Sequence, residues 1–584
     1  MKTFPRLSRA KSALRGIRFA SSKPFYVSTP IFYVNASPHL GHLYSMLLAD
    51  TRTRWEKLDP KKSAYFLTGT DEHGLKIQTA AEKSGLSPKQ LVDSVSQNFK
   101  VLAEKFNVDY DRFIRTTDTD HTEVVQFFWN MMMEKGFIHE GSHSGWYSVS
   151  DETFYPETQI EEVVDENGTK KMVSSESRSE VVFQEEENYF FKLSDFQDQL
   201  ISFLEKNPKF ILPEHRYTQI LNILKEAPLP DLSISRPSSR LKWSIEVPND
   251  PEQKIYVWFD ALLNYLTATG YPQTFPVENN RFVTSPENPW PATHIVGKDI
   301  IKFHTIYWPI FLLAAGIELP KQVIVHAHWL SDGFKMSKSL GNVVDPFDIL
   351  EYYGEDAVRF FLMENSNIQD DCKYREELLH QTREAIIGKY ANLMSRCGNS
   401  KFDIRQSVED WRNGRFSDVD TLINEQALNK DQTQSIIEAR DNLVASLNGL
   451  YTNMDSKLAD FDHSRAIQNW WTAVYYGNQL FQLSEPWLYT KLLKDTAVSD
   501  ADKESYRILQ NYFVFLAAET VRITSILITP IVPRLSEKIL DRLSVASGAR
   551  NSEYCEVGAD LQFGVGANSK SHRLPIEKVA LRGD

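Results

Sequence analysis

The chain has 584 residues, 42% of them hydrophobic and 24% charged, with a formal net charge of -13. That length and balance fit about two to four domains with sizeable cores and exclude a small stapled scaffold. The three cysteines, Cys372, Cys397 and Cys555, lie far apart and form no C-x-x-C pair, which argues against a disulfide framework or thiolate metal site and for a reducing compartment. No run of 18 apolar residues occurs; "WPIFLLAAGI" stops at ten and reads as a core helix, so no membrane span is expected.

Residues 1–23 carry seven Lys or Arg, four Ser and no acid, the composition of a mitochondrial transit peptide. Without them the formal charge falls from -13 to -20, and a chain that acidic binds nucleic acid only through local basic patches. From 24 to 113 and from 231 to 350, the runs "FYVSTP", "SAYFLTGT", "IYVWFDALL", "THIVG" and "QVIVHAHWL" alternate with amphipathic helices. This alternation predicts an α/β, Rossmann-like parallel sheet. The intervening 114–230 is rich in Ser, Glu and turn residues and reads as an insertion that splits this domain. A connecting segment, 351–384, leads to an all-α domain over 385–584.

Within the first half, "NASPHLGHLYS" follows the first strand. Ser37 is the expected N-cap and Pro38 the first helical residue, with Leu40, Leu43, Tyr44, Leu47 and Leu48 marking the buried face. His39 and His42 then sit in the first turns, at a helix N-terminus whose free N–H groups favour phosphate. Gly41 leaves room for a flat ring such as adenine. In the second half, "GFKMSKSLGNVVDP" puts Lys335, Ser337 and Lys338 on a loop after a strand, where ammonium groups can neutralise a leaving pyrophosphate.

These two motifs resemble the signatures of class I aminoacyl-tRNA synthetases. With "TPIFYVNASPHLGHLYS", "FLTGTDEHGLKI", "DLSISRPSSR", "YVWFDALLNY" and "GKDIIKFHTIYWP" in the same order, the chain from about 24 to 545 is most similar to the methionyl-tRNA synthetases, and the basic leader points to their mitochondrial type. The resemblance implies a two-step reaction in the mitochondrial matrix. ATP with Mg2+ and L-methionine form methionyl-adenylate and pyrophosphate, and tRNA(Met) then takes the acyl group on its 3′ end, releasing AMP. It implies catalytic roles for His39, His42, Lys335 and Lys338, and ATP contacts from these with Gly41 and Ser337. It also implies that Asp71 binds the methionine ammonium, and that Tyr33, Trp258, Ala261, Leu262, Tyr265, Ile300, Phe303, His304 and Trp308 wall its side chain. Asn392, Arg396 and Trp487 match anticodon-reading positions, the amide and guanidinium bonding base edges and the indole stacking on a base.

Leucyl, isoleucyl and valyl enzymes share both signatures but carry a larger editing insertion than the roughly 115 residues here. A small nucleotidyltransferase would lack the helical domain, and a noncatalytic RNA-binding descendant would not require the intact lysines, histidines and Asp71. No room remains after the helical domain for an added dimerisation module, so a monomer is expected. Many relatives of this kind hold zinc in the insertion on C-x-x-C pairs. Here the matching stretch reads "GWYSVSDETFYP", with Ser148 and Asp151 in place of the first pair, His139 and His143 nearby and His215 far along the segment. The expectation is therefore an insertion without zinc, held by Trp146, Tyr147, Phe154, Tyr155 and Tyr189.

Overall fold

The computed structural model describes residues 23–148, 153–155, 157–164, 170–175, 178–279, 281–331, 333–336, 342–426, 428, 430–568 and 576–582. The basic leader lies outside these, except for Lys23, whose ammonium donates to Trp290 O at 3.0 Å.

Six parallel strands form the central sheet: β1 (Phe25–Tyr33), β2 (Ala64–Asp71), β3 (Arg112–Arg115), β4 (Ile211–Leu212), β5 (Ala292–Gly297) and β6 (Gln322–His326), in the order 3-2-1-5-6-4. Their apolar runs are covered on both faces, as a parallel sheet requires. Val27 pairs with Phe66 on one side and Thr293 on the other. The β1–β2 register breaks between Ser28 and Ile31, a stretch holding Pro30, which has no N–H for the ladder. The chain winds from β1 outward through β2 and β3, then returns to place β5 and β6 on the opposite side. The carboxyl ends of β1 and β5 therefore flank a topological switch point, where open α/β sheets bind ligands.

Two expectations change here. Ile211–Leu212, inside the stretch read as insertion, pairs with Val323 and Ile324 and closes the edge of the central sheet. "IYVWFDALL" is a strand only to Ile255; Val257–Leu262 is a short helix. Its β-branched and aromatic content mimics a strand, but the six residues are nearly all buried and carry no helical periodicity to read.

The rest of the insertion is built on an antiparallel pair, Ile138–Ser148 with Val182–Phe191, running from Ile138↔Phe191 to Tyr147↔Val182. Trp146 meets Phe183 edge-on at 5.6 Å, and Tyr189 meets Trp129 of the preceding helix at 5.4 Å. The guanidinium of Arg240 covers the Tyr147 ring at 4.1 Å.

Beyond residue 385 long helices dominate: Thr433–Ala459, His463–Ser484 and Asp500–Ile528. Asp500–Ile528 is long and apolar enough by composition to cross a membrane, yet its apolar window is wholly buried by the surrounding helices, which makes it the central core helix of the bundle. Among the described residues the last α-helix ends at Arg542. Residues 543–568 hold only two 3-10 turns, and Arg582 returns to Glu376 with a bidentate pair at 2.6 and 2.7 Å.

The bundle is tied to the sheet by α1 (Leu40–Leu58), the helix that follows β1. Trp55 donates to Asp455 at 2.7 Å and stacks on Tyr451 at 5.4 Å. Asp50, fully buried, accepts from Arg359 at 2.6 Å, and Arg359 also donates to Ile531 O and Phe106 O. A buried guanidinium with all these acceptors fixes the helical region against the domain that carries the motifs.

Candidate active site

At the carboxyl end of β1 the helix begins at Leu40, not Pro38, and its N-cap is His39. The two histidines cap the helix reciprocally: Gly41 N donates to His39 Nδ1 and His39 N donates to His42 Nδ1, both at 3.1 Å. This is a capping box made of imidazoles instead of the usual hydroxyl and carboxamide. The rings stack at 3.8 Å, and a Cβ on Gly41 would come within 3.0 Å of the His39 ring. Gly41 thus makes room first for its own neighbour. With each Nδ1 accepting, the proton of each neutral ring sits on Nε2. Burial, then the neighbouring His39, holds His42 well below the usual imidazole range, so it stays neutral at physiological pH and serves as a hydrogen-bond donor rather than a cation.

The same helix reaches the far side of the switch point. Ser45 Oγ lies 2.8 Å from His326 Nε2 at the end of β6. His326 Nδ1 faces Ala327 O at 2.8 Å, so Nδ1 carries the proton and Nε2 accepts from Ser45. His326 is neutral too, pushed down to about 4 by burial. The strand that leads to the lysine loop is therefore bonded to the helix that carries the paired histidines. Lys335 lies in a two-residue strand, Phe334–Lys335, paired with Leu330–Ser331; Ser337 and Lys338 lie outside the described residues.

The proposed amino-acid pocket gathers at the ends of β1, β2 and β5. Tyr33 and Asp71 are register partners at the ends of β1 and β2, and the Tyr33 hydroxyl donates to His73 O at 2.9 Å. Trp258 stacks on Phe303 at 3.6 Å and 7°. Both are half-buried, as are Tyr33 and Ile300, whereas Ala261, Leu262, Tyr265, His304 and Trp308 are buried. By burial these residues divide into two sets, a half-buried facing layer of Tyr33, Trp258, Ile300 and Phe303 and a buried supporting layer.

The supporting layer is held by hydrogen bonds whose direction is determined. His304 Nδ1 faces Ile300 O at 3.0 Å and must donate, so Nε2 accepts from the Tyr265 hydroxyl at 2.7 Å. Trp308 Nε1 donates to His294 Nε2 at 3.1 Å, so His294 Nδ1 donates to Ser28 Oγ at 2.8 Å. Burial pushes His304 down to about 4 and His294 well below the ordinary range, and both are neutral spacers in an apolar wall. The phase of Trp308 toward His294 had no signal in the sequence reading. A histidine inside the apolar strand "THIVG" was the available hint, since ionisable groups are rarely fully buried without a role.

In the helical region Arg396 and Trp487 come together while Asn392 stands at the other end of the short helix Asn392–Cys397. The Arg396 guanidinium lies 4.8 Å from the Phe481 ring and 5.8 Å from that of Trp487, and donates to Gln482 Oε1 at 3.0 Å. Asn392 is exposed and Trp487 half-buried.

Of the insertion's remaining metal-type side chains, His139 is engaged by Asp231 at 2.8 Å. Asp151 lies outside the described residues. Among the described residues no group of three His, Cys, Asp or Glu is placed to hold a metal ion.

A family model described as tRNA synthetases class I (M) matches residues 25–398, and the chain belongs to that class. A mitochondrial methionine–tRNA ligase of Candida albicans is 62% identical over 98% of this chain and 99% of its own. The Homo sapiens mitochondrial methionine–tRNA ligase is 39% identical over 90% of this chain and 85% of its own. Among solved structures, Mycobacterium tuberculosis methionyl-tRNA synthetase in complex with methionyl-adenylate matches with a TM-score of 0.77 and 35% identity, covering 93% of this chain and 97% of that one. Within the class, this chain is a methionine–tRNA ligase.

Proposed function

We propose that this chain charges tRNA(Met) in the mitochondrial matrix as a monomer, using ATP with Mg2+, and that its site residues are those grouped above. The observation that carries the reading is the reciprocal imidazole cap at the switch point, facing the strand that leads to the lysine loop. Two neutral rings whose Nδ1 atoms are taken up by the cap and whose Nε2 protons remain to donate, at the carboxyl end of β1, suit the phosphates of ATP. Lys335 and Lys338 supply positive charge as pyrophosphate leaves. Asp71 binds the methionine ammonium, and Trp258, Phe303 and Tyr33 offer polarisable faces to the thioether, a favourable partner for aromatic rings. Methionyl-adenylate then passes its acyl group to the tRNA, and Asn392, Arg396 and Trp487 read the anticodon by base-edge bonds and stacking.

The direct test is ATP–pyrophosphate exchange with each amino acid in turn, followed by charging of mitochondrial tRNA(Met). Exchange with methionine alone, and charging of that tRNA, are expected. Exchange with another amino acid, or none with any, overturns the reading. For the insertion we infer a fold without zinc, supported by the engagement of His139 with Asp231 and the aromatic packing around Trp146 and Tyr189. Stoichiometric zinc in the untagged protein that survives dialysis would contradict it.

A further inference from the structure

A second buried polar cluster, next in the chain to residues of the proposed pocket, is not used by the proposed reaction. Asp260, fully buried, sits on the short helix Val257–Leu262 between Trp258 and Ala261. Its Oδ2 is 2.7 Å from His73 Nδ1 and its Oδ1 is 2.8 Å from His121 Nε2. His73 follows Asp71 by two residues, and His121 stands on the helix Thr119–Glu134 that leads into the insertion. Three separate segments therefore meet on one carboxylate.

The directions of these bonds are set by chemistry. An ionised carboxylate only accepts, so both imidazoles donate to it. The two histidines and burial act on Asp260 in opposite senses, and the net effect holds its carboxyl below the usual value, so it is ionised. The Thr267 hydroxyl lies 3.0 Å from His121 Nδ1 and 3.0 Å from Leu263 O. His121 is thereby held at both ring nitrogens, by Asp260 and by Thr267, and its orientation is fixed from both sides. His73 is held from a second direction as well, since its carbonyl accepts from Tyr33.

We propose that Asp260 is a positioning residue for the amino-acid site: it sets the Asp71–Gly74 loop against the Trp258 helix, so that the ammonium partner and the thioether wall keep one separation. This rests on the reading of Asp71 as the ammonium ligand. A mispositioned pocket wall costs affinity for the small substrate it measures and leaves ATP, bound at the end of β1 and at the lysine loop, unaffected.

Asp260→Asn is the informative change because it keeps volume and leaves no cavity. The amide offers one acceptor and one donor, so one of the two imidazole N–H groups loses its acceptor and faces another donor. In the full-length enzyme, the methionine dissociation constant, measured by equilibrium dialysis without ATP, is expected to rise at least tenfold, with the KM for ATP in pyrophosphate exchange within twofold of wild type. His121→Gln retains an amide donor toward Asp260 and is expected to keep methionine affinity within threefold, whereas His121→Leu loses at least fivefold; this pair decides the matter should Asp260→Asn fail to fold. Methionine affinity within twofold of wild type in folded Asp260→Asn, equal losses for methionine and ATP, or identical effects of Gln and Leu at 121 would each overturn the proposal. Asp71→Asn is the separate arm: unchanged methionine binding in that variant removes the ligand assignment itself, whereas a large loss there beside a normal Asp260→Asn removes only the positioning role.

Discussion

The amino-acid pocket and the anticodon-type face of the helical region use similar residues under opposite conditions. In the pocket, His294, His304 and Tyr265 are buried and every hydrogen bond among them has one possible direction. At the helical face, Arg396 is half-buried against two rings and donates to the Gln482 amide, and Asn392 is exposed. The contrast matches the two recognition problems proposed for these regions. A small apolar side chain is measured by a rigid wall, because only preorganised groups discriminate by shape at low cost. An unstacked base brings its own polar edge and π face, and a guanidinium with freedom to turn meets both.

Changes at the chemical end sharpen this contrast most. Lys338→Ala is expected to slow adenylate formation by about 2.7–4 kcal/mol, since its charge is wanted chiefly in the transition state. Methionine binding should hardly change; a raised methionine KM with unchanged turnover would contradict the role. At the helical face, Trp487→Ala should cost charging about 1–3 kcal/mol, the range for a stacked base, with pyrophosphate exchange intact. Equal loss in both assays would make Trp487 a packing residue and dissolve the comparison.

In the pocket, Tyr265→Phe removes the donor to His304 Nε2 and leaves that buried nitrogen without this hydrogen bond. A cost of about 1–3 kcal/mol in methionine binding follows, read by titration, with tRNA affinity unmoved. The smallest effect concerns pH. His304 in the pocket and His463 in the helical region are both pushed down to about 4 by burial, against about 6.5 in an unfolded chain. Between those values the unfolded chain holds more protons, so each histidine's contribution favours folding at pH 7 and is lost as pH falls from about 6.5 to 4. His463→Gln removes one such contribution and should flatten the fall of melting temperature over that window. Parallel curves for variant and wild type would show that His463 titrates normally.

Much of the candidate site was legible from local chemistry. Paired histidines after a strand, a lysine loop after a later strand and an acid at a strand end are short patterns whose residue types the chemistry demands. The helix start was misplaced by two residues, because Ser37 and Pro38 are good capping signals while an imidazole acting as N-cap has no standing among them. The strand reading of "IYVWFDALL" failed for a related reason: a short helix buried on all sides has the composition of a strand. The carboxylate inside that apolar run, Asp260, was the visible irregularity.

By itself the sequence determined the class of fold, the order of its parts and the motifs at the strand ends, since these follow from periodicity and from chemistry carried by neighbouring residues. Only the tertiary structure decided that Ile211–Leu212 closes the sheet, that Ser28 and Trp308 fix the tautomer of His294, and that Asp260 joins residues 187 and 139 positions away in the chain. Those bonds cross long sequence separations, and a hydrogen bond leaves no periodic trace in the segments it connects.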